Sequence, residues 1–217
     1  MKSFSTIFIL SVALLFLDSC IKHEVIPAPV ARVDLNANLE AVINGTDIEW
    51  TQNVNMYKGF TSVETINNPS PQLSKKIYES SMSSIYSEQS LRLTFGSLAW
   101  DAAATFEPPL SMFNDFHVDN SDLPIPFKDY DSPSLLPSLV GVEVEYTDID
   151  GEVWISRESD PNQFAEFQII KQESDNTGDY SLFSCQFSCK VWRNNPQTSL
   201  DESIMISNAQ YKAWFKR

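Results

Sequence analysis

The chain has 217 residues, 42% of them hydrophobic, and carries a formal net charge of −14. This hydrophobic content is enough to build a core, so the composition argues against global disorder. The negative charge opposes binding to nucleic acid or to an anionic membrane surface, because both depend on clustered lysine and arginine.

The amino terminus has the layout of a secretory signal peptide that ends at a cysteine. Lys2 provides a basic start, residues 7–16 form a hydrophobic stretch, and Ser19 precedes Cys20. A bilayer span needs roughly 20 apolar residues, about twice the length of this stretch. Leu17, three residues before the cysteine, makes the pattern resemble a bacterial lipoprotein signal. That resemblance implies cleavage before Cys20 and attachment of acyl chains such as palmitate to it, which together anchor a protein firmly.

The chain is predicted to divide into three segments. A signal peptide covers residues 1–19, and a lipidated tether covers residues 20–31, in which Pro27 and Pro29 favour extended backbone. Residues 32–217 then form a single β-sandwich domain, a size that one all-β unit commonly reaches.

The clearest hairpin signal is Asn44–Gly45, which suits a two-residue type I′ turn because both positions need positive φ. This turn places Leu39 opposite Trp50. Further from the turn, Leu35 falls opposite Val54. One face of the predicted hairpin is apolar and contains Val33, Leu35, Ala37, Leu39, Ala41, Ile48, Trp50, Val54 and Met56. The turn and the apolar pattern thus agree on one register.

A second two-residue turn is predicted at Asp150–Gly151. It pairs Tyr146 with Ile155, and Asp148 with Val153. The inward face would hold Val142, Val144, Tyr146, Val153 and Ile155, and the outward face Glu143, Glu145 and Trp154.

Further strands follow from the alternation of apolar and polar residues. They are predicted at 91–95, 164–171, 180–192, 202–207 and 210–216, with a turn at Asn208–Ala209 between the last two. Short strands between turn signals, with little helix, predict an antiparallel β-sandwich of about eight to ten strands. A closed barrel is the alternative architecture.

Two stretches depart from this alternation. Residues 72–90 are rich in serine and have apolar residues at near-helical spacing, which leaves a short helix and a long loop as alternatives. Residues 106–138 hold six prolines, a density that excludes a regular central strand or helix. This second stretch is predicted to be a long excursion from the sheet, of a kind that often carries function on β scaffolds.

Cys185 and Cys189 are predicted to be reduced core residues on one face of a strand. Four residues along a strand span about 13 Å at ~3.3 Å each, whereas a disulfide needs α-carbons within about 7 Å. Two cysteines without a nearby histidine are also a weak zinc signal. No metal and no other cofactor is predicted.

The chain offers little that favours catalysis. His117 lies between Asp115 and Asp119, but no Gly-x-Ser-x-Gly motif supplies a nucleophile for it to activate. His117 is therefore interpreted as a surface-loop residue. Residues 148–152 contain part of a calcium-loop pattern, but the terminal glutamate ligand is missing and turn chemistry already explains them. We predict no catalytic residue and no metal site.

Two tryptophans on predicted outer faces are the candidate ligand-binding residues. Trp154 shares its predicted face with Glu143 and Glu145. Trp192 lies on the polar face of the strand that carries the two cysteines. An indole beside carboxylates can stack on a sugar ring whose hydroxyls bind the carboxylates. The alternative is that a loop covers both indoles, because large aromatic side chains are mostly buried.

Four segments carry a family resemblance: the signal before Cys20, the hairpins at 39–45 and 144–154, and the closing segment 204–211. Together they resemble small cell-envelope lipoproteins of the Bacteroidota, many of which are β-sandwiches of unknown function. The resemblance implies one functional residue, the lipid-bearing Cys20. It also implies a place in the cell envelope, with the outer membrane as the expected location and the periplasmic or surface face left open.

The expected function is that of a lipid-anchored envelope protein with a binding, adhesion or assembly role and without catalysis. Its expected partners are the membrane, through the anchor, and a glycan or another envelope protein, with no nucleic acid. The alternatives are an envelope hydrolase acting on glycans and a structural subunit that assembles by strand addition.

Overall fold

The computed structural model describes residues 35–113, 125–127, 141–158, 168–174 and 178–217, of which 168–174 are described by backbone alone. The predicted signal peptide and the whole predicted tether, which includes Cys20, lie outside these ranges. No helix within them is long and apolar enough to cross a bilayer.

Ten strands make up this part of the chain, and every strand pairing is antiparallel. They are β1 Asn38–Ile43, β2 Thr46–Thr51, β3 Tyr57–Ile66, β4 Ser74–Ser84, β5 Ser87–Trp100, β6 Val142–Thr147, β7 Val153–Ser156, β8 Gln168–Ser174, β9 Tyr180–Asn194 and β10 Asp201–Lys216. The strands form one sheet in the order β2-β1-β10-β9-β7-β6-β5-β4-β3, and β8 also pairs with β9. The prediction of an antiparallel all-β fold is confirmed.

The sheet curls so that β4 and β5 face β9 and β10 across an aromatic core. Phe215 stacks on Phe183 with ring centroids 4.5 Å apart, and Phe95 meets the Phe215 ring edge-on at 4.8 Å. Ser80 Oγ lies 3.3 Å from the hydroxyl of Tyr211. Two halves of one continuous sheet therefore supply the two layers that bury the core.

The end strand β3 lies close to β10, and a glycine permits this approach. A Cβ added at Gly59 would lie 2.5 Å from a ring carbon of Trp214 and 2.8 Å from Cβ of Ala37. Further along β3, Thr61 Oγ1 accepts a hydrogen bond from the amide of Lys216 at 3.2 Å. A larger side chain at position 59 would overpack this contact.

The hairpin predicted at Asn44–Gly45 is confirmed near its turn. Asn44 has a φ of 49° and Gly45 a φ of 79°, as a type I′ turn requires. Leu39 lies opposite Trp50, and both are buried.

The outer end of this hairpin differs from the prediction. The ladder stops after six residue pairs, so the predicted pairing of Leu35 with Val54 is wrong. Gln52 redirects the chain instead, because its side-chain amide donates to the carbonyl of Leu35 at 2.8 Å. Val54 and Met56 leave the predicted apolar face and are 54% and 39% exposed.

Residues 74–84 and 87–90 form strands, and the helix or long loop predicted over 72–90 is wrong. β4 and β5 make a hairpin whose turn is Ile85–Tyr86. Two inward positions of β4 are serines, Ser74 and Ser80, and both are buried. Ser74 Oγ accepts from the amide of Asn68 at 3.1 Å, so its polar group is satisfied. These buried serines hide the alternation that marks a strand.

The predicted strands 202–207 and 210–216 are one strand, β10, and the predicted turn between them is wrong. Asn208 has a φ of 52° and lies in a β-bulge, where the pairing with β9 shifts by one residue. The amide of Asn208 donates to Ser188 Oγ at 3.0 Å. The predicted inward residues of this segment are buried: Tyr211, Ala213 and Phe215.

The remaining strand predictions are confirmed where the structure describes them. Residues 91–95 lie within β5, residues 180–192 lie within β9, and 164–171 overlaps β8. β3 has no counterpart among the predicted strands. It is an end strand whose residues after Tyr57 are exposed or half-buried, so its apolar alternation is weak.

The proline-rich stretch 106–138 is described in two parts. A single helical turn, 110–113, begins directly after Pro109, a position at which proline is tolerated because the first helical amides have no partner. Residues 125–127 return to the sheet, where Phe127 forms a parallel bridge with Val142. His117 and the neighbouring aspartates lie outside the described residues.

The cysteine prediction is confirmed: Cys185 and Cys189 are free thiols and fully buried. Burial raises the pKa of both thiols, because the core disfavours a thiolate. Burial likewise raises the pKa of the Tyr78 and Tyr211 hydroxyls.

We expect these four groups to make the domain sensitive to alkali. Below the ordinary pKa values of 9.0 for the thiol and 10.0 for the phenol, these groups are protonated in both the folded and the unfolded state. The free energy of unfolding then has its full value. Above them the unfolded state loses protons that the folded state retains, so the free energy of unfolding falls as pH rises. Urea midpoints measured across this range should decline, and less steeply in Tyr211→Phe. A midpoint independent of pH would contradict the prediction.

Candidate functional site

The register of the β6–β7 hairpin differs from the predicted one. The observed register decides which side chains reach the outer face. Its ladder pairs Glu145 with Ile155 and Thr147 with Val153, one residue out of step with the prediction. The turn is a three-residue loop that ends at Gly151, whose φ is 80°. A slip of one residue moves every side chain of β7 to the opposite face.

Asp148 stabilises the longer loop. Its Oδ1 accepts hydrogen bonds from the amides of Asp150 and Glu152 at 2.9 and 3.0 Å. Its Oδ2 accepts one from Nε1 of Trp154 at 2.8 Å. Three donors therefore converge on one carboxylate, which holds both the loop and the indole.

The predicted outward orientation of Trp154 is wrong. Its side chain is 6% exposed and lies on the inner face of the sheet, away from Glu143 and Glu145. The guanidinium of Arg193 lies over the ring, 4.5 Å from its centroid. The structure therefore does not bring the four predicted ligand-binding residues together, and Trp154 is a packing residue.

Trp192 lies on the outer face of β9, as predicted, and is half-buried. It pairs with Ile155 of β7, which in turn pairs with Glu145 of β6. Glu145 pairs with Arg92 of β5. Because cross-strand partners share a face, these four residues form a cross-strand row over the outer surface.

An open depression of about 1020 Å³, the Trp192 depression, lies over the cross-strand row. Glu143 also lines it, on the same face of β6 as Glu145. Three of the four predicted residues, Trp192 and the two glutamates, thus share one concave surface.

The Trp192 depression contains an apolar patch, here called its floor. Val153 and Ile155 are 44% and 37% exposed, because the observed register turns them outward. Ile155 is the cross-strand partner of Trp192, and Val153 lines the same depression. Exposed apolar side chains next to an aromatic ring in a concave surface are typical of a ligand contact.

Ion pairs fix the charged side chains around this floor. Arg92 Nη2 binds Glu145 Oε2 across the β5–β6 pair. Arg193 lies 2.8 Å from Glu152 and 2.9 Å from Glu202. The hydrogen bond to Glu202, with the charge of Glu152, raises the pKa of Arg193. These side chains are held in place before any ligand arrives.

Arg157 orients the indole of Trp192. Its guanidinium binds Asp201 through two hydrogen bonds of 2.7 and 3.2 Å. These bonds lower the pKa of Asp201. The Arg157 Cζ atom lies 5.2 Å from the Trp192 ring centroid, and Lys190 Nζ lies 6.0 Å from it. Cations at these distances attract the face of the ring and restrain it.

The sequence prediction misses Ile155 and the three arginines of the site, Arg92, Arg157 and Arg193. Arg92 lies on a different hairpin from Trp192, one hundred positions away in the chain. Sheet order and register alone bring them together, and neither has a local sequence signal. The correct β6–β7 register would have identified Ile155.

No group of three His, Cys, Asp or Glu side chains among the described residues is arranged to hold a metal ion. Within the part of the chain that the structure describes, burial raises the pKa values of the core thiols and phenols. Hydrogen bonds instead lower the pKa values of Asp201 and Glu202. The outer face of the sheet thus offers two carboxylate–guanidinium pairs, Glu145 with Arg92 and Asp201 with Arg157, around an apolar floor, an arrangement suited to binding.

Comparison of the chain with protein-family models, with characterised proteins and with solved structures found no match. The likeness to Bacteroidota lipoproteins therefore stays a resemblance of the signal and of the hairpins.

Proposed function

We propose that the protein is a lipid-anchored component of the bacterial cell envelope, most simply of the outer membrane, that binds a ligand and catalyses no reaction. The anchor is supported by the sequence before Cys20, where a basic start and a short hydrophobic stretch end at Ser19–Cys20. A stable anchor needs more than one acyl chain, since one alone binds a membrane only marginally.

The Trp192 depression is the observation that supports the binding role. It joins an aromatic ring, two exposed aliphatic side chains and pre-positioned ion pairs on one concave face. Small-molecule sites commonly combine an apolar surface with a few fixed polar groups.

Binding is favoured over glycan hydrolysis by the state of the carboxylates. A glycosidase needs one carboxylic acid with a raised pKa to protonate the leaving group. Beside the depression, the hydrogen bonds from Arg157 and Asn195 instead lower the pKa values of Asp201 and Glu202, respectively. Both carboxyls are thus held in the ionised form, which accepts hydrogen bonds and donates no proton.

The anchor is tested by expressing the full chain and a Cys20→Ser variant in a bacterium that processes lipoproteins. We expect the wild-type protein to begin at an acylated Cys20, by mass spectrometry, and to sediment with membranes. The variant should lose the acyl mass and remain unprocessed. Cys189→Ala is the matched control, because its thiol is buried and should not affect acylation. An unmodified Cys20 or an uncut leader would overturn the proposed location.

A further inference from the structure

We infer that the Trp192 depression binds a neutral oligosaccharide that lies across the strands. This inference rests on the proposed binding function and names the ligand class of the same site. The cross-strand row supplies the contacts, with Ile155 and Trp192 as the apolar surface under the sugar rings.

The charges of the depression favour a neutral ligand. Three arginines and three glutamates line it: Arg92, Arg157, Arg193, Glu143, Glu145 and Glu152. Asp201 and Glu202 beside the depression add two negative charges, and each of the three arginines binds at least one carboxylate. An anionic ligand would be repelled by the surrounding negative field, and a cationic one would have to compete with the bound guanidiniums for the carboxylates. A ligand without net charge meets neither obstacle.

The polar groups match hydroxyls in particular. A hydroxyl donates one hydrogen bond and accepts others, so it can bind a carboxylate and a guanidinium at once. Arg92 and Glu145 present both types of group side by side in one ion pair. Arg157 and Asp201 repeat the arrangement beside Trp192, through two hydrogen bonds. Fixed partners of both types therefore flank the apolar floor.

The dimensions favour a chain of sugar rings over a single ring. Adjacent strands lie about 4.8 Å apart, so the cross-strand row from Arg92 to Trp192 spans about 14 Å. The volume of 1020 Å³ lies at the upper end of the range that small-molecule sites occupy. An oligosaccharide fills such a surface, with its apolar ring faces on Ile155 and Trp192 and its hydroxyls toward the ion pairs.

The test measures retention of the full chain, solubilised in detergent, on immobilised polymers. The neutral probes are a β-glucan, an α-glucan and a galactomannan. Polygalacturonate represents acidic polysaccharides, and casein represents polypeptides. We expect retention on at least one neutral polysaccharide, and at least about tenfold weaker retention for Trp192→Ala, the loss typical of a central aromatic contact.

Two further variants keep this result interpretable. Tyr86→Ala is the matched control, because it removes an aromatic side chain that is 77% exposed and lies outside the depression. Its retention should equal that of the wild type. Ile155→Ser removes part of the floor from a position already 37% exposed, so it tests the site even if Trp192→Ala does not fold.

Each remaining outcome overturns a defined part of the inference. Absence of retention on all three neutral polysaccharides would overturn the ligand class. Retention on polygalacturonate or casein alone, lost in Trp192→Ala, would overturn the ligand class and leave the binding role intact. Retention on a neutral polysaccharide that both depression variants preserve would overturn the site. The acylation of Cys20 is measured separately, so failure of the anchor is distinguishable from all of these.

Discussion

Replacing Phe215 by alanine is expected to lower the free energy of unfolding by about 3–5 kcal/mol, the range for large aromatic residues in a packed core. The Phe215 ring is fully buried and lies between both layers of the curled sheet. It stacks on Phe183, meets Phe95 edge-on at 4.8 Å and Tyr78 at 6.4 Å. Alanine would leave a cavity where β5, β9 and β10 meet.

Urea unfolding of the two proteins measures this difference directly. Phe60→Ala is the matched control, because Phe60 is 50% exposed on β3 and its loss should cost less than about 1 kcal/mol. Equal losses for the two variants would mean that the sheet does not curl around Phe215.

The sequence predicts strands well where every inward position is apolar. In β9 the inward residues alternate without interruption from Phe183 to Val191, and the predicted strand, its buried face and its reduced thiols are all confirmed. The Asn44–Gly45 turn is equally specific, because its two positive φ values suit few other residue pairs.

Prediction fails where a small polar residue fills an inward position. Ser80 of β4 is buried beside the Tyr211 hydroxyl of β10, a partner 131 positions away. No local pattern reveals such a partner, so the serine-rich segment resembled a helix or loop. The turn predicted at Asn208–Ala209 was wrong for a related reason. Asparagine tolerates a positive φ, and a positive φ occurs in a β-bulge as well as in a turn.

The candidate site was predictable in part. The outward orientation of Trp192 follows from β9 alone, because the alternation of that strand is regular. The face to which Trp154 points depends instead on the length of the preceding turn, and Asp and Gly suit both a two-residue and a three-residue loop. The hydrogen bonds of Asp148 select the longer loop, and the register then exchanges Trp154 for Ile155 on the outer face. One residue of register thus separates a packing tryptophan from a ligand-binding one.

Replacing Trp154 by alanine should therefore cost about 3–5 kcal/mol of stability. The indole is 6% exposed, donates to Asp148 and carries the guanidinium of Arg193 on its face. Its loss would leave a cavity, remove a hydrogen-bond donor from Asp148 and remove the ring that packs against the Arg193 guanidinium. Trp154→Phe should cost less than Trp154→Ala, because a six-membered aromatic ring is kept, although part of the indole volume and the hydrogen bond to Asp148 are lost.

Trp192→Ala is the matched comparison, since it removes the same side chain from the outer face. Its stability loss should be clearly smaller than that of Trp154→Ala, because Trp192 is only half-buried, while its effect on retention is large. Urea midpoints of both variants decide between the registers. A midpoint lowered more by Trp192→Ala than by Trp154→Ala would mean that β7 pairs in the two-residue-turn register, with Trp154 on the ligand-facing side and Ile155 in the core.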